Sequence, residues 1–338
     1  MKCGNRLPSI RDVANAAGVS PMTVSRVLNQ PHLVAEPTRD KVLAAIGNLD
    51  YVVNELARQI GTGRRPYIGI LSLRVATTPF AVDIIQAIEQ AAREHGWRTY
   101  LVNAFTNDPS TGVIDHILAF RPEGIILATV GHHIVNVHER LVRAGVVLAS
   151  CQTIQKGIAC YVPDEEQGQF DGVCKLLEKG YCRPVCIHLP ERFVAKTLRL
   201  KGMQLAFQRF NILEKAQTHF VLDDEPAYQQ CVPFLDQALA KRPRPDCLIC
   251  GNDRVAFVAY QHLLSRGLRI PKDIGVLGFD NMAGISDLFL PPLSTIQLPL
   301  EEVGRAAALH IIRKRKSSRI FRLACLLSAG HLFRADIV

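Results

Sequence analysis

The sequence predicts an α/β protein in which a small helical unit precedes a two-lobed core of parallel sheets. Three observations predict it. Residues 9 to 28, SIRDVANAAGVSPMTVSRVL, carry the period, caps and turn of a helix-turn-helix. From Tyr67 onward short apolar runs alternate with amphipathic stretches, the pattern of strands joined by helical crossovers. That series occurs twice, so a chain of 338 residues divides its apolar content between two similar halves.

The elements follow in order. Ser9 and Asp12 form a capping box, so the first helix starts there, runs through Val13 to Ala16 or Ala17 and stops at Gly18. Ser20 caps the second. Pro21 sits at its first position, where a missing N–H costs little, and Val24, Val27 and Leu28 make one apolar face. Met22, Ser25 and Arg26 lie on the other. Met22 and Arg26 are four apart and project side by side, as a recognition helix presents side chains to base edges in the major groove. A third helix after Glu36-Pro37, with Val42, Ile46 and Leu49 at helical spacing, closes a three-helix core. Asn54 then suits the cap of a short helix ending at Gly61. At about two turns it is too short to hold alone in water, and is expected to form only against a partner or DNA.

In the body, YIGILSL, RTYLVN, GIILA and GVVLAS read as strands, with a helix over FAVDIIQAIEQAAREHG that ends at Gly96. PVCIHL, THFVL, DCLICG and IGVLGF repeat the series around helices near residues 196–209, 226–240 and 252–266. Ligands of open α/β sheets sit beyond the carboxyl ends of the strands, so the cleft between two such halves should be lined by residues just after each strand. That rule selects Phe80, Ser150, Asn252 with Asp253, and Asp280 with Asn281. Carboxylates and carboxamides can bridge the vicinal hydroxyls of a sugar ring, and an aromatic face packs on its C–H surface. Asn252 equally suits an N-cap and Asp280 a turn cap. Asp83, one turn into its helix, is a weaker candidate that also complements the helix dipole.

These residues resemble the lactose-repressor (LacI/GalR) family of bacterial transcription regulators. The resemblance rests on IRDVANAAGVSPMTVSRVLN, VAEPTRDKVLAAIGNLDY, NELARQIGTGR, LICGND, IPKDIGVLGFDN and PPLSTIQLP, and covers nearly the whole chain. TTPFAVDIIQAIEQ, ICGNDRVAFVAYQ and FLPPLSTIQLP point to family members that govern sucrose use. The resemblance implies a helix-turn-helix headpiece over residues 1–53, a hinge helix and linker over 54–65, and a periplasmic-binding-protein-like effector-binding and dimerisation domain over 66–338. It implies DNA contacts from Ser20, Pro21, Met22, Thr23, Ser25, Arg26 and Asn29, and from Asn54, Arg58 and Ile60 in the hinge, with Ile60 where the family usually places a Leu wedge in the minor groove. It adds Arg199 to the effector contacts. The expected function is a repressor of a sugar-utilisation operon: a homodimer on double-stranded operator DNA, released by sucrose or a component hexose bound between the lobes. A purine-type corepressed regulator and a transport-type sugar-binding protein are the alternatives. Val53 departs from the family by standing where a Pro often precedes the hinge, and the tail after Arg319 runs on without the usual ending or sustained heptads.

Charge and composition agree with this reading. The net charge of +9 sits at the ends. Up to Arg65 there are nine Lys or Arg against five acids, and from Arg313 onward seven against Asp336 alone. The basic front suits phosphate contacts; the tail reads as a solvated basic strip. The motifs of phosphate-loop, dinucleotide, zinc-protease and serine-hydrolase enzymes do not occur, so no enzymatic activity and no cofactor are expected. No metal is expected either: Cys247 and Cys250 stand three apart on a strand and point to opposite faces, and the ten cysteines read as structural thiols of a cytoplasmic protein. Neither a signal peptide nor a run of membrane-spanning length is evident.

Overall fold

The computed structural model describes residues 8–51, 66–73, 80–106, 108–224, 227–282 and 285–328, with the backbone alone at Phe80, Ala81 and Val130. Val53, the hinge positions Asn54, Arg58 and Ile60, and residues 329–338 lie outside the described residues. The chain divides into two compact units, Met1–Arg65 and Pro66–Val338.

In the first unit α1 spans Ile10–Ala17, α2 Pro21–Asn29 and α3 Glu36–Asn48. The Asp12 carboxylate accepts from the Ser9 N–H at 2.7 Å and the Ser9 hydroxyl at 2.6 Å, which fixes where α1 begins. Gly18 ends it in the left-handed region at φ 66°, a conformation that costs a residue with a Cβ about 1–2 kcal/mol. The Ser20 Oγ accepts from the Thr23 N–H at 3.1 Å and starts α2. Val13, Ala14, Val24, Val27, Val42, Ala45 and Tyr51 form one small core under the hairpin, with Ile46, Leu28 and Leu49 packed at its margin.

The second unit holds two six-stranded sheets. In the first, β1 (Tyr67–Leu73), β2 (Arg98–Ala104), β3 (Gly124–Ile134), β4 (Val146–Gln152), β5 (Ala159–Pro163) and β11 (Ile320–Leu323) lie in the order β11-β5-β4-β3-β1-β2, every pair parallel. Helices α4 (Phe80–Glu94), α5 (Thr111–Ala119), α6 (Glu139–Arg143) and α11 (Leu300–Ile312) cover it. Strand residues alternate between two cores: Ile68, Ile70, Ile126 and Val147 pack with α4 and α11, while Leu71, Leu73, Ile125 and Leu148 pack on the opposite face with α5. A strand buried on both faces is apolar throughout, and that is why YIGILSL and GIILA read as unbroken runs.

The second sheet orders β6 (Pro184–His188), β7 (Thr218–Val221), β8 (Cys247–Cys250), β9 (Gly275–Asp280), β10 (Ser294–Gln297) and β12 (Leu326–Ser328) as β12-β10-β9-β8-β6-β7. Around it lie α7 (Glu165–Glu178), α8 (Val194–Arg209), α9 (Cys231–Ala240) and α10 (Asp253–Ser265). The expectation of wholly parallel sheets needs one correction: β12 runs antiparallel to β10. It follows β11 after two residues, so a chain that has just completed one sheet enters the other at its edge without a helical crossover. The chain thus passes between the lobes at β5–α7, at β10–α11 and at β11–β12. Cys247 and Cys250 fall in separate cores on opposite faces of β8, and burial pushes both thiols well above their ordinary range.

Candidate functional site

In the headpiece the two faces of α2 differ sharply. Val24 and Val27 are buried, whereas Ser20, Pro21, Met22, Arg26 and Asn29 are exposed and Thr23 and Ser25 half-buried. Met22 is 66% exposed, a large apolar side chain held in solvent by the helix that buries Val24 and Val27. Arg26 has no ion-pair partner among the described residues. Asn29 Nδ2 donates to the Ser25 carbonyl at 2.9 Å, which ties down the end of the helix.

In the second unit a cleft opens where the carboxyl ends of both sheets face one another. Thr129, Gly131, His132, Ser150 and Pro163 line it from the first lobe, and Glu165, Arg199, Asn252 and Asp280 from the second. Its polar centre is an ionic cluster. Arg199, on α8, donates through Nε to Glu165 at 2.6 Å, through one terminal nitrogen to the Gly251 carbonyl and through the other to Asp280 at 3.3 Å. Its guanidinium also lies 3.5 Å from the centroid of the Phe279 ring. Arg199, Glu165 and Asp280 are all buried, so one guanidinium is shared between two carboxylates and stands in for the water each would otherwise hold. Asn252 is the N-cap of α10: its side chain accepts from the Val255 N–H at 2.8 Å while the residue lines the cavity.

The backbone at the two strand ends is unusual. Ser150 has φ 62°, Asp280 118° and Asn281 51°, all in a region that non-glycine residues enter at a cost of about 1–3 kcal/mol. Asp253 holds the second of these ends. Fully buried, it accepts from the Thr295 hydroxyl at 2.6 Å and the Met282 N–H at 2.9 Å, and burial pushes its carboxyl up to about 6. In the first lobe residues 129–132 of β3 stand opposite the single Ser150 of β4, a wide bulge with Gly131 at φ 76°. Ser150, expected just after a strand, therefore lies inside β4, and the bulge beside it turns His132 inward.

The family model for the LacI family of bacterial regulatory proteins matches residues 9–54, and the model for periplasmic binding proteins and the sugar-binding domain of the LacI family matches residues 66–328. The chain belongs to the LacI family. This LacI-family chain is 43% identical over 326 residues to the sucrose operon repressors of Escherichia coli and Shigella flexneri, covering 95% of itself and 98% of each. It is 28% identical to the ribose operon repressor of Escherichia coli, over 89% of itself and 91% of that protein. Among solved structures, the lac repressor dimer bound to operator and the anti-inducer ONPF matches with a TM-score of 0.78 at 25% identity, over 97% of this chain and 99% of that one.

The LacI-family cleft brings together Ser150, Arg199, Asn252 and Asp280. Asp83 does not line it; half-buried on α4 beside the lining Ile84, its carboxyl is raised by burial and then by Glu301. Phe80 begins α4, and its side chain lies outside the described residues. Glu165 and His132 are among the lining residues that the sequence did not single out. Glu165, just after β5, looks from sequence like any acid at a helix start. His132, 2% exposed, donates through Nε2–H to Gln152 Oε1 at 3.2 Å, while its Nδ1 has no partner among the described residues. Burial lowers its basicity, so the ring is neutral. The adjacency of His132 and His133 carried no signal that one of them faces a cavity. Among the described residues no group of three His, Cys, Asp or Glu is placed to hold a metal, and no helix is long and apolar enough to cross a membrane.

Proposed function

We propose that this LacI-family chain is the repressor of a sucrose-utilisation operon, released from its operator by sucrose or a component hexose bound between the lobes. The observation that carries the proposal is the cleft: an ionic cluster of Arg199, Glu165 and Asp280, with Ser150 and Asn252, gathered at the carboxyl ends of two sheets, where hydroxyls of a small sugar can find both donors and acceptors. The 43% identity to sucrose operon repressors supports the choice of sugar. In this reading residues 1–53 form the headpiece, 54–65 the hinge and 66–338 the effector-binding domain. Arg26 bonds a guanine through O6 and N7, worth about 1–3 kcal/mol of discrimination, and Pro21 and Met22 favour apolar contact such as a thymine methyl. Ser20, Thr23, Ser25 and Asn29 serve the same helix, and Asn54, Arg58 and Ile60 serve the hinge.

The protein acts in the cytoplasm without a cofactor, as a homodimer whose two-fold axis matches a pseudo-palindromic operator. Phe257, 49% exposed, packs edge-on to Phe289 beside Leu288 and Leu290, which are 76% and 81% exposed; this apolar face suits a second copy of the chain. Sugar binding changes the relation of the lobes and lowers operator affinity, and operator binding lowers sugar affinity by the same factor. The test is an operator gel shift with the purified protein in the presence of sucrose, fructose, glucose or a purine base. Release by sucrose or a hexose is expected. Tightening by the purine would replace the reading with a corepressed regulator, and loss of preference for any operator over random duplex would end it.

A further inference from the structure

The cleft occupies one edge of the first sheet; the opposite edge carries a different chemistry. Because every pair in that sheet is parallel, Tyr67, Arg98, Gly124, Val146, Ala159 and Ile320 all begin their strands at this second edge. Helix α11 ends there too. Its continuation RKRKSSR, residues 313–319, is exposed throughout and borders a groove of about 920 Å³ with Glu123, Gly145 and Gly157. Arg313, Lys314, Arg315, Lys316, Arg319 and Arg322 bring six cations into ten residues, and no acid occurs between Glu302 and Asp336. Lys314 faces Glu123 at 3.9 Å, and Arg319 lies 4.8 Å from the Phe321 ring centroid. Arg313, Arg315 and Lys316 have no ion-pair partner among the described residues.

Helix dipoles account for part of this. Cations at a helix C-terminus are favourable within the last turn, by about 0.3–1 kcal/mol each. Four consecutive cations running past that turn into solvent exceed what capping asks for and repel one another. The covalent path of the chain supplies the second argument. The first strand begins at Tyr67 on this same edge, so the segment that follows the headpiece in the sequence enters the core here.

We propose that the 313–319 segment is a second DNA-binding surface, sequence-independent, that contacts phosphates of the duplex flanking the operator. The proposal rests on the DNA-binding reading above and extends it from the headpiece to the core. Duplex DNA is the occupant the geometry favours, because the headpiece that would grip it is tethered at this edge and the chemistry needed is charge alone.

The experiment compares parent protein with an Arg313→Gln/Arg315→Gln/Lys316→Gln variant by fluorescence anisotropy. The probes are an operator selected in vitro with the parent protein, trimmed to about 20 base pairs or extended with arbitrary flanks to about 40. Between 50 and 200 mM salt the variant should lose about 0.9 from the slope of log affinity against log salt for each phosphate contact removed, and bind the long duplex about tenfold more weakly. On the trimmed duplex the two proteins should agree. An Arg313→Lys/Arg315→Lys variant should retain the parent slope, and sugar affinity should be the same in all three, because the cleft is at the other edge. Equal slopes for parent and Gln variant on the long duplex, or no gain by the parent from the flanks, would overturn the proposal. Charge-dependent binding to phosphatidylserine vesicles with an unchanged DNA slope would overturn it in favour of a membrane surface. A parent protein that selects no operator would overturn the underlying reading, and this one with it.

Discussion

Arg199 shows how one residue ties a lobe's chemistry to its stability. A guanidinium presents its donors in a rigid fork, and here the fork is used on Glu165, the Gly251 carbonyl and Asp280 together. A lysine has the charge but not the reach to three acceptors. Arg199→Lys should therefore leave Glu165 or Asp280 buried without a bond to the cation and cost about 3 kcal/mol in urea unfolding, with sugar binding lost; an unchanged midpoint would mean the cluster is not a unit. His132 makes the complementary case. With the neutral ring donating Nε2–H to the Gln152 amide oxygen, Nδ1 is an acceptor with no protein donor and closed to solvent, so a sugar hydroxyl meets it once the ring turns toward the cleft. His132→Phe keeps the ring and removes the acceptor. It should weaken sugar binding about three- to tenfold by calorimetry, the worth of one hydrogen bond, and leave operator affinity in the absence of sugar at the parent value.

At the scale of elements, the polar cluster depends on two helices in unusually close approach. A Cβ on Gly202 of α8 would stand 2.1 Å from the Glu166 carbonyl oxygen of α7, a backbone atom that cannot swing aside. Glu165 is the residue before it. Gly202→Ala should push α8 from α7, cost about 1–3 kcal/mol in thermal unfolding and weaken sugar binding in parallel, because the helix that moves is the one that carries Arg199. A variant that melts like the parent and binds sugar normally would show the helices are not coupled to the site. These helices also mark where sequence reading stops. The headpiece was legible because its signals are local: the Ser9–Asp12 box, the Ser20 cap and Gly18 each act within one turn. Strands β1, β3, β4, β6, β8 and β9 were legible as apolar runs, and their ends led to Ser150, Asn252 and Asp280. Strands β5, β10 and β12 and the helices α5, α6, α7 and α11 were not read, and β11 was legible only as the start of a last strand. Helix α11, LEEVGRAAALHII, packs against α4 through Gly304, where a Cβ would meet the Ile84 carbonyl oxygen at 2.4 Å, and that contact belongs to two segments over two hundred residues apart. The bulge that turns His132 inward arises from the register of β3 against β4, and nothing in GHHI announces it.

For the molecule as a whole, burial of imidazoles sets a pH dependence. His132, His188, His219 and His310, spread over both lobes, are each held below their ordinary basicity by desolvation, His188 down to about 4. His188 also faces Lys196 and stacks on His219 with ring centroids 5.2 Å apart, so a proton there meets two further cationic or protonatable groups, with Glu191 opposing them. An unfolded chain takes up protons at these sites near pH 6.5, and the folded protein takes them up at lower pH, near 4 at His188. Between those limits the unfolded state binds more protons, so stability falls as the pH falls from about 6.5 toward 4. Asp253 works in the opposite direction: its carboxyl, raised to about 6, takes a proton in the folded state before the unfolded chain does near 3.9, and so adds stability on acidification over that narrower range. Asp83, raised by burial and by Glu301, acts in the same sense as Asp253; four imidazoles outweigh these two carboxylates, so the melting temperature of the ligand-free protein should decline from pH 7 to pH 5. His188→Gln, which removes the most depressed of the four, should flatten the decline. A melting temperature that rises over this interval would place the dominant titration on carboxylates, and a His188→Gln profile parallel to that of the parent would take His188 out of it.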